Sequence, residues 1–238
     1  MNNEQYVCLV CGFNMIGFHP DRCPFCGASA RHFITAAECS SRFEVVSTPV
    51  NGKVTRLNSL PALGIEHAAY RIETGRGACW IDCPSCFDAS LEQTDAIFFT
   101  HHHFLGASNL YRKHFEAQVR IHHEDSVHAI CRPFSFDVVF EDHFVHQGIE
   151  AFPVDGHTPG FTFYIFEDVL LICDYVFLDE GAMKYNPFGP ADRTIAGGER
   201  IRKILDGRAL SVVCGYDYVI DYADWKNRFD DGPVFGGY

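Results

Sequence analysis

Three features are missing from this sequence of 238 residues, and each absence excludes a class of protein. There is no apolar run close to the ~18 residues of a membrane-spanning helix, so a membrane protein is not expected. There is no cluster of Lys and Arg, and a net charge of −12 has the wrong sign for tracking phosphates, so nucleic acid is not an expected partner. The opening residues lack the basic and apolar segments of a signal peptide, which predicts a cytoplasmic protein.

Cysteine and histidine, by contrast, are abundant. The chain has 11 Cys and 13 His in an otherwise ordinary globular composition, with 47% hydrophobic and 21% charged residues. Cytosolic thiols stay reduced, so clustered cysteines there are expected to be metal ligands or redox groups rather than structural disulfides.

Four of the cysteines form two Cys-x-x-Cys pairs near the N-terminus, each followed by a glycine. The glycine allows a turn in which backbone N–H groups point at sulfur. Tetrahedral coordination by four sulfurs suits zinc or iron, and so small a segment could not build a core of its own. The spacing therefore predicts a metal site at Cys8, Cys11, Cys23 and Cys26.

The same segment resembles the rubredoxin-like domains of rubrerythrins and related proteins. Tyr6, Phe13 and Ala28 fall at the flanking positions of that pattern, and Phe33 could cover the small core. The resemblance covers about residues 5–35 and implies one iron, held by the four thiolates, that carries one electron. A zinc ribbon is the alternative. The predicted domain spans residues 1–36.

From about residue 43, short β-rich runs alternate with turns and helical stretches. This pattern of strands and helices predicts an α/β (α+β) domain over residues 43–238, with two sheets covered by helices. The predicted strands are Phe43–Thr48, Val54–Leu57, Ala68–Glu73, Cys79–Asp82, Ala96–Phe99, Val119–His122, Val138–Phe140, Glu150–Pro153, Phe161–Phe166, Val169–Cys173 and Ser211–Gly215. The predicted helices are Leu110–Ala117, Ser126–Ile130 and Gly198–Leu205.

Three consecutive histidines follow one of these predicted strands almost directly. Alternation along an extended backbone would place His101 and His103 on one side and His102 on the other. Two imidazoles on one side of a strand end can share a metal. Three adjacent imidazoles in a core without a cation would be costly to satisfy, so the run predicts a metal site.

Two later segments offer further ligands. A turn rich in Gly and Pro presents His157, and Asp174 stands where the predicted strand Val169–Cys173 ends. A histidine in a tight turn and a carboxylate at a strand end are both candidate metal ligands.

Together these pieces resemble the metallo-β-lactamase superfamily over roughly residues 43–225. The matching features are Tyr70, Trp80-Ile81-Asp82, Thr100-His101-His102-His103, Gly156-His157-Thr158-Pro159-Gly160 and Asp174. The resemblance implies an αββα sandwich with a metal site at one edge of the two sheets. It also implies a first metal site made by His101, His103 and His157, with Asp174 as the bridging carboxylate.

The sequence departs from that pattern at the second metal site. Leu105 replaces an aspartate, Gly106 replaces a histidine, and Tyr216 stands where a late histidine is usual. Two-metal hydrolysis needs both ions to hold the nucleophile and the leaving oxygen. The departures therefore predict a single metal and argue against dinuclear hydrolases and nucleases.

Three readings of the remaining site stay open. His101, His157 and Asp174 make the set of two imidazoles and a carboxylate that favours non-haem Fe(II), with His103 as a fourth ligand or a neighbour. This is similar to the persulfide dioxygenases of the superfamily. Alternatively His101, His103 and His157 hold one zinc, as in mononuclear hydrolases. The third reading is a degenerate, non-catalytic site that binds metal only structurally, or not at all.

The cysteine module favours the redox reading, because a one-electron carrier serves an iron site but not a hydrolase. The preferred hypothesis is an oxidoreductase or oxygenase that acts on a small molecule or a diatomic gas, with a reductase as possible electron donor and a homodimer as possible assembly. Flavodiiron proteins use the same fold to reduce O2 or NO. This chain lacks their acidic ligand in the second motif and a flavodoxin-sized segment.

Overall fold

The computed structural model describes residues 4–17, 19–179 and 182–235. The chain divides into two compact units, the first formed by Met1–Ile121 with Ser126–Phe140 and the second by His122–Asp125 with Glu141–Tyr238. None of the helices in the described ranges combines the length and the apolar composition that a membrane crossing requires.

The first unit contains two sheets and two α-helices. Its strands are β1 (Gln5–Cys8), β2 (Asn14–Ile16), β3 (Phe33–Thr35), β4 (Glu44–Pro49), β5 (Val54–Leu60), β6 (Ala69–Glu73), β7 (Ala78–Ile81), β8 (Ala96–Phe98), β9 (Gln118–His122) and β10 (Val138–Phe140). Its helices are α1 (Ala36–Arg42) and α2 (Ser108–Phe115). The sheet orders are β2-β1-β3 and β10-β9-β8-β7-β6-β5-β4.

Burial explains the middle of the larger sheet. Every residue of β7 and β8 is buried, and β7, β8 and β9 run parallel to one another. Strands buried on both faces read as continuous apolar runs, which is why the sequence signals them clearly. The connection from β8 to α2 leaves the carboxyl end of the sheet and carries the three histidines.

The cysteine knuckle and the larger sheet share one hydrophobic cluster. Val7, Phe13 and Met15 of the knuckle belong to the same buried group as Leu57 and Trp80 of the sheet. The predicted boundary between residues 36 and 43 stays a prediction, and α1 occupies the residues between the two predicted domains.

The second unit contains a six-stranded sheet, a small three-stranded sheet and helices. Its strands are β11 (Phe144–His146), β12 (Ile149–Pro153), β13 (Thr162–Phe166), β14 (Val169–Cys173), β15 (Val176–Asp179), β16 (Ala182–Tyr185), β17 (Val212–Gly215), β18 (Val219–Asp221) and β19 (Val234–Phe235). The sheet orders are β11-β12-β13-β14-β17-β18 and β15-β16-β19. The helices are α3 (His123–Ser126), whose last residue belongs to the first unit, α4 (Ala191–Leu205) and α5 (Tyr222–Asp230).

Helix α4 begins seven residues earlier than Gly198, the predicted start, at Ala191. Its glycines are contact points rather than breaks, because a Cβ at Gly197 or Gly198 would collide with the hydroxyl of Tyr175 or Tyr185. Glycine in a helix lowers its intrinsic stability, and here that loss permits close packing of the helix on two buried tyrosines.

The predicted helix over Ser126–Ile130 is wrong. The chain forms α3 and then a short 3-10 turn at Ala129–Cys131. His128 separates them, since its backbone is extended and its Nδ1 caps the Ile130 N–H at 3.4 Å. A side chain that bonds the backbone two residues on offers an alternative to a continuous helix.

Glu66 lies beneath the knuckle with its carboxylate bonded to Ser59. Its oxygens accept from the Ser59 N–H at 2.8 Å and from the Ser59 hydroxyl at 2.7 Å. A Cβ at Gly12 would lie 3.1 Å from the Glu66 Cβ. Burial, only partly offset by these hydrogen bonds, raises the pKa of Glu66 to about 7.

We expect Glu66→Gln to change how stability depends on pH. Because the pKa of Glu66 is raised on folding, the folded chain keeps a proton that the unfolded chain releases between about pH 4.5 and 7, and stability falls as pH rises through that window. Relative to wild type, the variant should therefore gain ~2 kcal/mol between pH 5 and pH 8 in urea unfolding. The exposed Glu44→Gln serves as control, and equal profiles for wild type and Glu66→Gln would contradict the expectation.

Candidate metal centres

The four predicted cysteines come together in the first unit. Their sulfurs all lie within 4.8 Å of one another, with Cys8 Sγ 3.8 Å from Cys26 Sγ and Cys11 Sγ 3.7 Å from Cys23 Sγ. A tetrahedron with metal–sulfur bonds of about 2.3 Å has edges of about 3.8 Å. The spacing of the sulfurs therefore fits one tetrahedral metal ion, zinc or iron.

Two tight turns hold the sulfurs in this arrangement. Gly12 N donates to the carbonyl of Cys8 at 2.7 Å, and Gly27 N donates to the carbonyl of Cys23 at 2.9 Å. Both glycines adopt positive φ, 81° and 73°, as the sequence predicts for the residue after each pair. Burial raises the pKa of Cys8 to about 11, whereas the hydrogen bond from the thiol of Cys11 lowers the pKa of Cys23 to about 5.

His101 is oriented by a buried carboxylate through a threonine. Asp82 accepts from Thr100 N at 2.9 Å and from Thr100 Oγ1 at 2.9 and 3.0 Å. Thr100 Oγ1 lies 2.9 Å from His101 Nδ1. Since the hydroxyl proton goes to Asp82, the oxygen accepts from Nδ1–H, which leaves the lone pair on Nε2 for a metal.

The histidine run does not continue the strand as predicted. Strand β8 ends at Phe98 and the histidines lie in the turns that follow. The rings of His101 and His103 still meet, with centroids 4.8 Å apart, whereas His102 stacks on His128 at 4.1 Å. The pairing of His101 with His103 is as predicted, although the turn and not strand alternation produces it.

His103 is a neutral imidazole in an aromatic environment. Burial, followed by the neighbouring His102 and His128, lowers the pKa of His103 to about 3. Its ring packs against Phe25 of the cysteine knuckle, with centroids 5.5 Å apart. A neutral imidazole is the form that binds metals.

His67, a histidine that no sequence motif marked, belongs to the same cluster. Its ring centroid lies 5.6 Å from that of His101 and 3.8 Å from that of Phe104. Burial holds the pKa of His67 well below its usual value. The side chain of His67 is therefore a neutral imidazole, like that of His103, and lies beside His101.

In the second unit His157 and Asp174 are neighbours, as expected. Both are buried, and His157 Nε2 lies 3.5 Å from Asp174 Oδ2. Asp174 directly follows β14, whose last residue, Cys173, has a positive φ of 48°.

Asn186 is a site residue that the sequence analysis missed. Its Nδ2 donates to Asp174 Oδ2 at 2.9 Å and lies 3.2 Å from His157 Nε2, while its Oδ1 accepts from Phe188 N at 3.0 Å. It follows β16, and in the sequence an Asn before Pro signals only a turn.

None of the positions that departed from the family pattern carries the aspartate or histidine that is usual at the second metal site. Leu105 is fully buried in the core of the first unit. Gly106 has φ +53°, and a Cβ there would collide with the carbonyls of Cys83 and Pro84, lying 2.5 Å from the Pro84 oxygen. Tyr216 packs against Phe177, with ring centroids 5.1 Å apart.

Among the described residues of the first unit, the four cysteines form a set of side chains that could hold a metal ion. His101 and His103 meet within the first unit, and His157 and Asp174 meet within the second.

The chain has the metallo-β-lactamase fold, as predicted, and carries a four-cysteine knuckle near its N-terminus, consistent with a rubredoxin-like domain. A metallo-β-lactamase from Pontibacter korlensis superposes with a TM-score of 0.63 at 16% identity, covering 79% of this chain and 100% of that one. No protein-family model matches the sequence, and no curated protein is similar to it.

Two other solved structures with this fold differ in their metal content. FIM-1 from Pseudomonas aeruginosa, in a mono-zinc form, gives a TM-score of 0.61 at 11% identity and covers 79% of this chain and 95% of that one. TTHA1623, in a di-iron-bound form, gives 0.54 at 18% identity and covers 68% and 93%. At these identities the similarity establishes the fold alone.

We expect Gly106→Ala to destabilise the protein far more than the same change at Gly75. Both glycines have positive φ, but a Cβ at Gly75 meets nothing within 4 Å. Gly75→Ala should therefore lose about 1 kcal/mol from backbone strain alone, and Gly106→Ala about 3 kcal/mol because the clash adds to it. Urea unfolding measures the loss of stability in both variants. Equal losses would show that a Cβ at position 106 does not collide with the carbonyls of Cys83 and Pro84.

Proposed function

We propose that this protein is a redox metalloprotein in which a four-thiolate iron centre supplies electrons to a single non-haem iron site. The first centre is Cys8, Cys11, Cys23 and Cys26. The second is His101, His157 and Asp174, with His103 as a fourth ligand or an adjacent group. Iron bound by thiolates exchanges one electron, and iron bound by imidazole and carboxylate leaves positions free for a small molecule or a diatomic gas.

The observation that carries this proposal is the contact between Phe25 and His103. Phe25 lies between Cys23 and Cys26 in the chain, and its ring packs against the imidazole of His103. The same ring contacts Phe104, with centroids 5.0 Å apart. Electron transfer weakens steeply with distance through empty space, so continuous packing from the knuckle to a histidine ligand supports a coupled pair of centres.

The surroundings of the second ligand set support a metal role as well. Thr100 and Asp82 fix the tautomer of His101, and Asn186 donates to the carboxylate of Asp174. Partners that orient ligands in this way are usual at metal sites. The donor types, imidazole and carboxylate, are those that favour Fe(II) with open positions.

Leu105, Gly106 and Tyr216 argue against two-metal hydrolysis, because none of them offers the usual second-site ligand. The test therefore includes the number of metal ions bound per chain.

A mononuclear zinc hydrolase is the second candidate. His101, His103 and His157 supply the three imidazoles such a site needs, and a neighbour with the same fold was solved in a mono-zinc form. The iron-bound neighbour supports the first candidate to the same extent. The contact between Phe25 and His103 supports the first candidate, since a hydrolase needs no path for electrons between the two sites. A metal-binding protein without catalysis remains the third candidate.

The proposed partners follow from the same reasoning. A small-molecule substrate or a diatomic gas would reach the second centre, and a reductase would donate electrons to the knuckle, where Cys26 is exposed. Assembly as a homodimer is proposed only as compatible with these roles.

The first test compares the colour and metal content of wild type, Cys8→Ser and Asp174→Ala, all purified from iron-rich medium. Wild type should be red and bleach with dithionite. Asp174→Ala should keep the thiolate colour and lose the second iron, because the carboxylate ligand is gone. Cys8→Ser should lose the thiolate colour and keep the second iron. Asp192→Ala, an exposed change on α4, should keep both metals.

Other results would point elsewhere. Stoichiometric zinc in colourless wild type would exclude an iron centre at the cysteines. Two fully occupied metals at the histidine site would contradict the single-metal part. Zinc in that site, with hydrolysis of an ester, thioester or lactam at a rate unchanged by Cys8→Ser, would exclude the redox mechanism.

A second test addresses the contact at Phe25. The thiolate centre is reduced with one equivalent of dithionite, mixed with O2 or NO, and followed by the return of its colour. Phe25→Leu should slow the return several-fold towards the rate of Asp174→Ala, because it opens the packed contact with His103. In the control Phe33→Leu, the ring that is replaced lies against His19 and not against His103. The rate at which the colour returns should therefore match that of wild type. Equal rates in wild type and Asp174→Ala would mean that the two centres are not coupled.

A further inference from the structure

A carboxylate outside the proposed ligand set lies fully buried next to the turn that carries His157. Asp125 belongs to the short helix α3, directly after β9, and its side chain has no solvent exposure. A buried carboxylate is expensive unless hydrogen bonds compensate it. Its partners therefore indicate what it does.

Those partners are the residues immediately after His157. Asp125 Oδ2 accepts from Thr158 Oγ1 at 2.9 Å, and Asp125 Oδ1 accepts from Gly160 N at 3.3 Å. The two bonds bracket Pro159. One carboxylate thus ties down both ends of the segment that leads away from His157.

The turn approaches the segment of His122 and Asp125 so closely at Gly160 that no side chain would fit there. A Cβ at Gly160 would lie 2.6 Å from His122 Nδ1 and 3.0 Å from Asp125 Cγ. His122 is itself fixed, with Nε2 2.9 Å from the carbonyl of Glu141 and Nδ1 accepting from Glu124 N at 3.2 Å. The turn at Gly160 therefore packs against His122 and Asp125, whose positions are fixed by hydrogen bonds.

We infer that Asp125 is a positioning residue for His157: through Thr158 and Gly160 it sets where the imidazole stands. Asp125 does not bind the metal. It differs from Asp82, which acts on the imidazole of His101 through the hydroxyl of Thr100, because Asp125 acts on His157 only by fixing the turn that follows it. The inference rests on the part of the proposed function that makes His157 a ligand, and it holds for iron and zinc alike.

The test titrates metal-depleted, full-length protein with Co²⁺ alone. Cobalt bound by thiolates is read from its near-ultraviolet charge-transfer band, and cobalt bound by imidazole and carboxylate is read from the visible bands that remain after the thiolate contribution is subtracted. Asp125→Asn and Thr158→Val should weaken visible-band binding about 10–100-fold and leave the thiolate band unchanged. Thr158→Ser keeps the hydroxyl and should restore nearly wild-type affinity.

Asp137→Asn is the matched control. That carboxylate also accepts from a backbone N–H, that of Val119 at 2.9 Å, but contacts no proposed ligand. It should leave both cobalt bands as in wild type. If Asp125→Asn does not fold, the comparison of Thr158→Val with Thr158→Ser decides alone.

Two outcomes overturn the inference, and they differ. Wild-type cobalt affinity in both Asp125→Asn and Thr158→Val would leave Asp125 a structural role only, with the proposed metal centre intact. Absence of the visible band in wild type itself would remove the proposed centre, and the positioning role with it.

Discussion

The packing of the cysteine knuckle into the core of the larger sheet is the constraint on which the first unit depends. Four cysteines and three short strands bury too little apolar surface to stand alone. The knuckle instead shares a hydrophobic cluster with residues such as Trp80 and Phe99. The backbones meet so closely that a Cβ at Gly64 would lie 2.6 Å from the carbonyl of Val10. The geometry of the sulfurs is therefore set partly by the sheet, and Phe25 reaches His103 because of that docking.

A common arrangement holds the proposed ligands of the second centre. Asp82 acts on His101 through Thr100, Asp125 contacts the residues after His157, and Asn186 contacts Asp174 directly. Each ligand is thus fixed by a buried polar neighbour in its own unit. Ligands held in place beforehand lose little conformational freedom when a metal binds, which favours affinity and geometric selectivity.

Local patterns in the sequence were enough to predict the fold and to name the candidate ligands. Three motifs each indicate metal binding within a few residues. They are the Cys-x-x-Cys-Gly pairs, the histidines after a buried strand and the His–Thr–Pro–Gly turn. Asn186, Asp125 and the contact between Phe25 and His103 could not be predicted in this way. They join segments far apart in the chain, and the sequence has no periodicity that marks such pairs. Helix α4 was predicted too short because Gly197 and Gly198 resemble helix breaks unless the tyrosines they accommodate are known.

Gly106 limits which ligand its loop can carry. In the family pattern this position carries a histidine, yet here the main chain lies against the carbonyls of Cys83 and Pro84, with Ala107 N bonded to the Pro84 oxygen at 2.8 Å. Any side chain at 106 needs a different path for that loop, and a different path needs a new partner for Ala107 N. A histidine at position 106 would therefore require two segments of the chain to move together, which a single substitution does not provide.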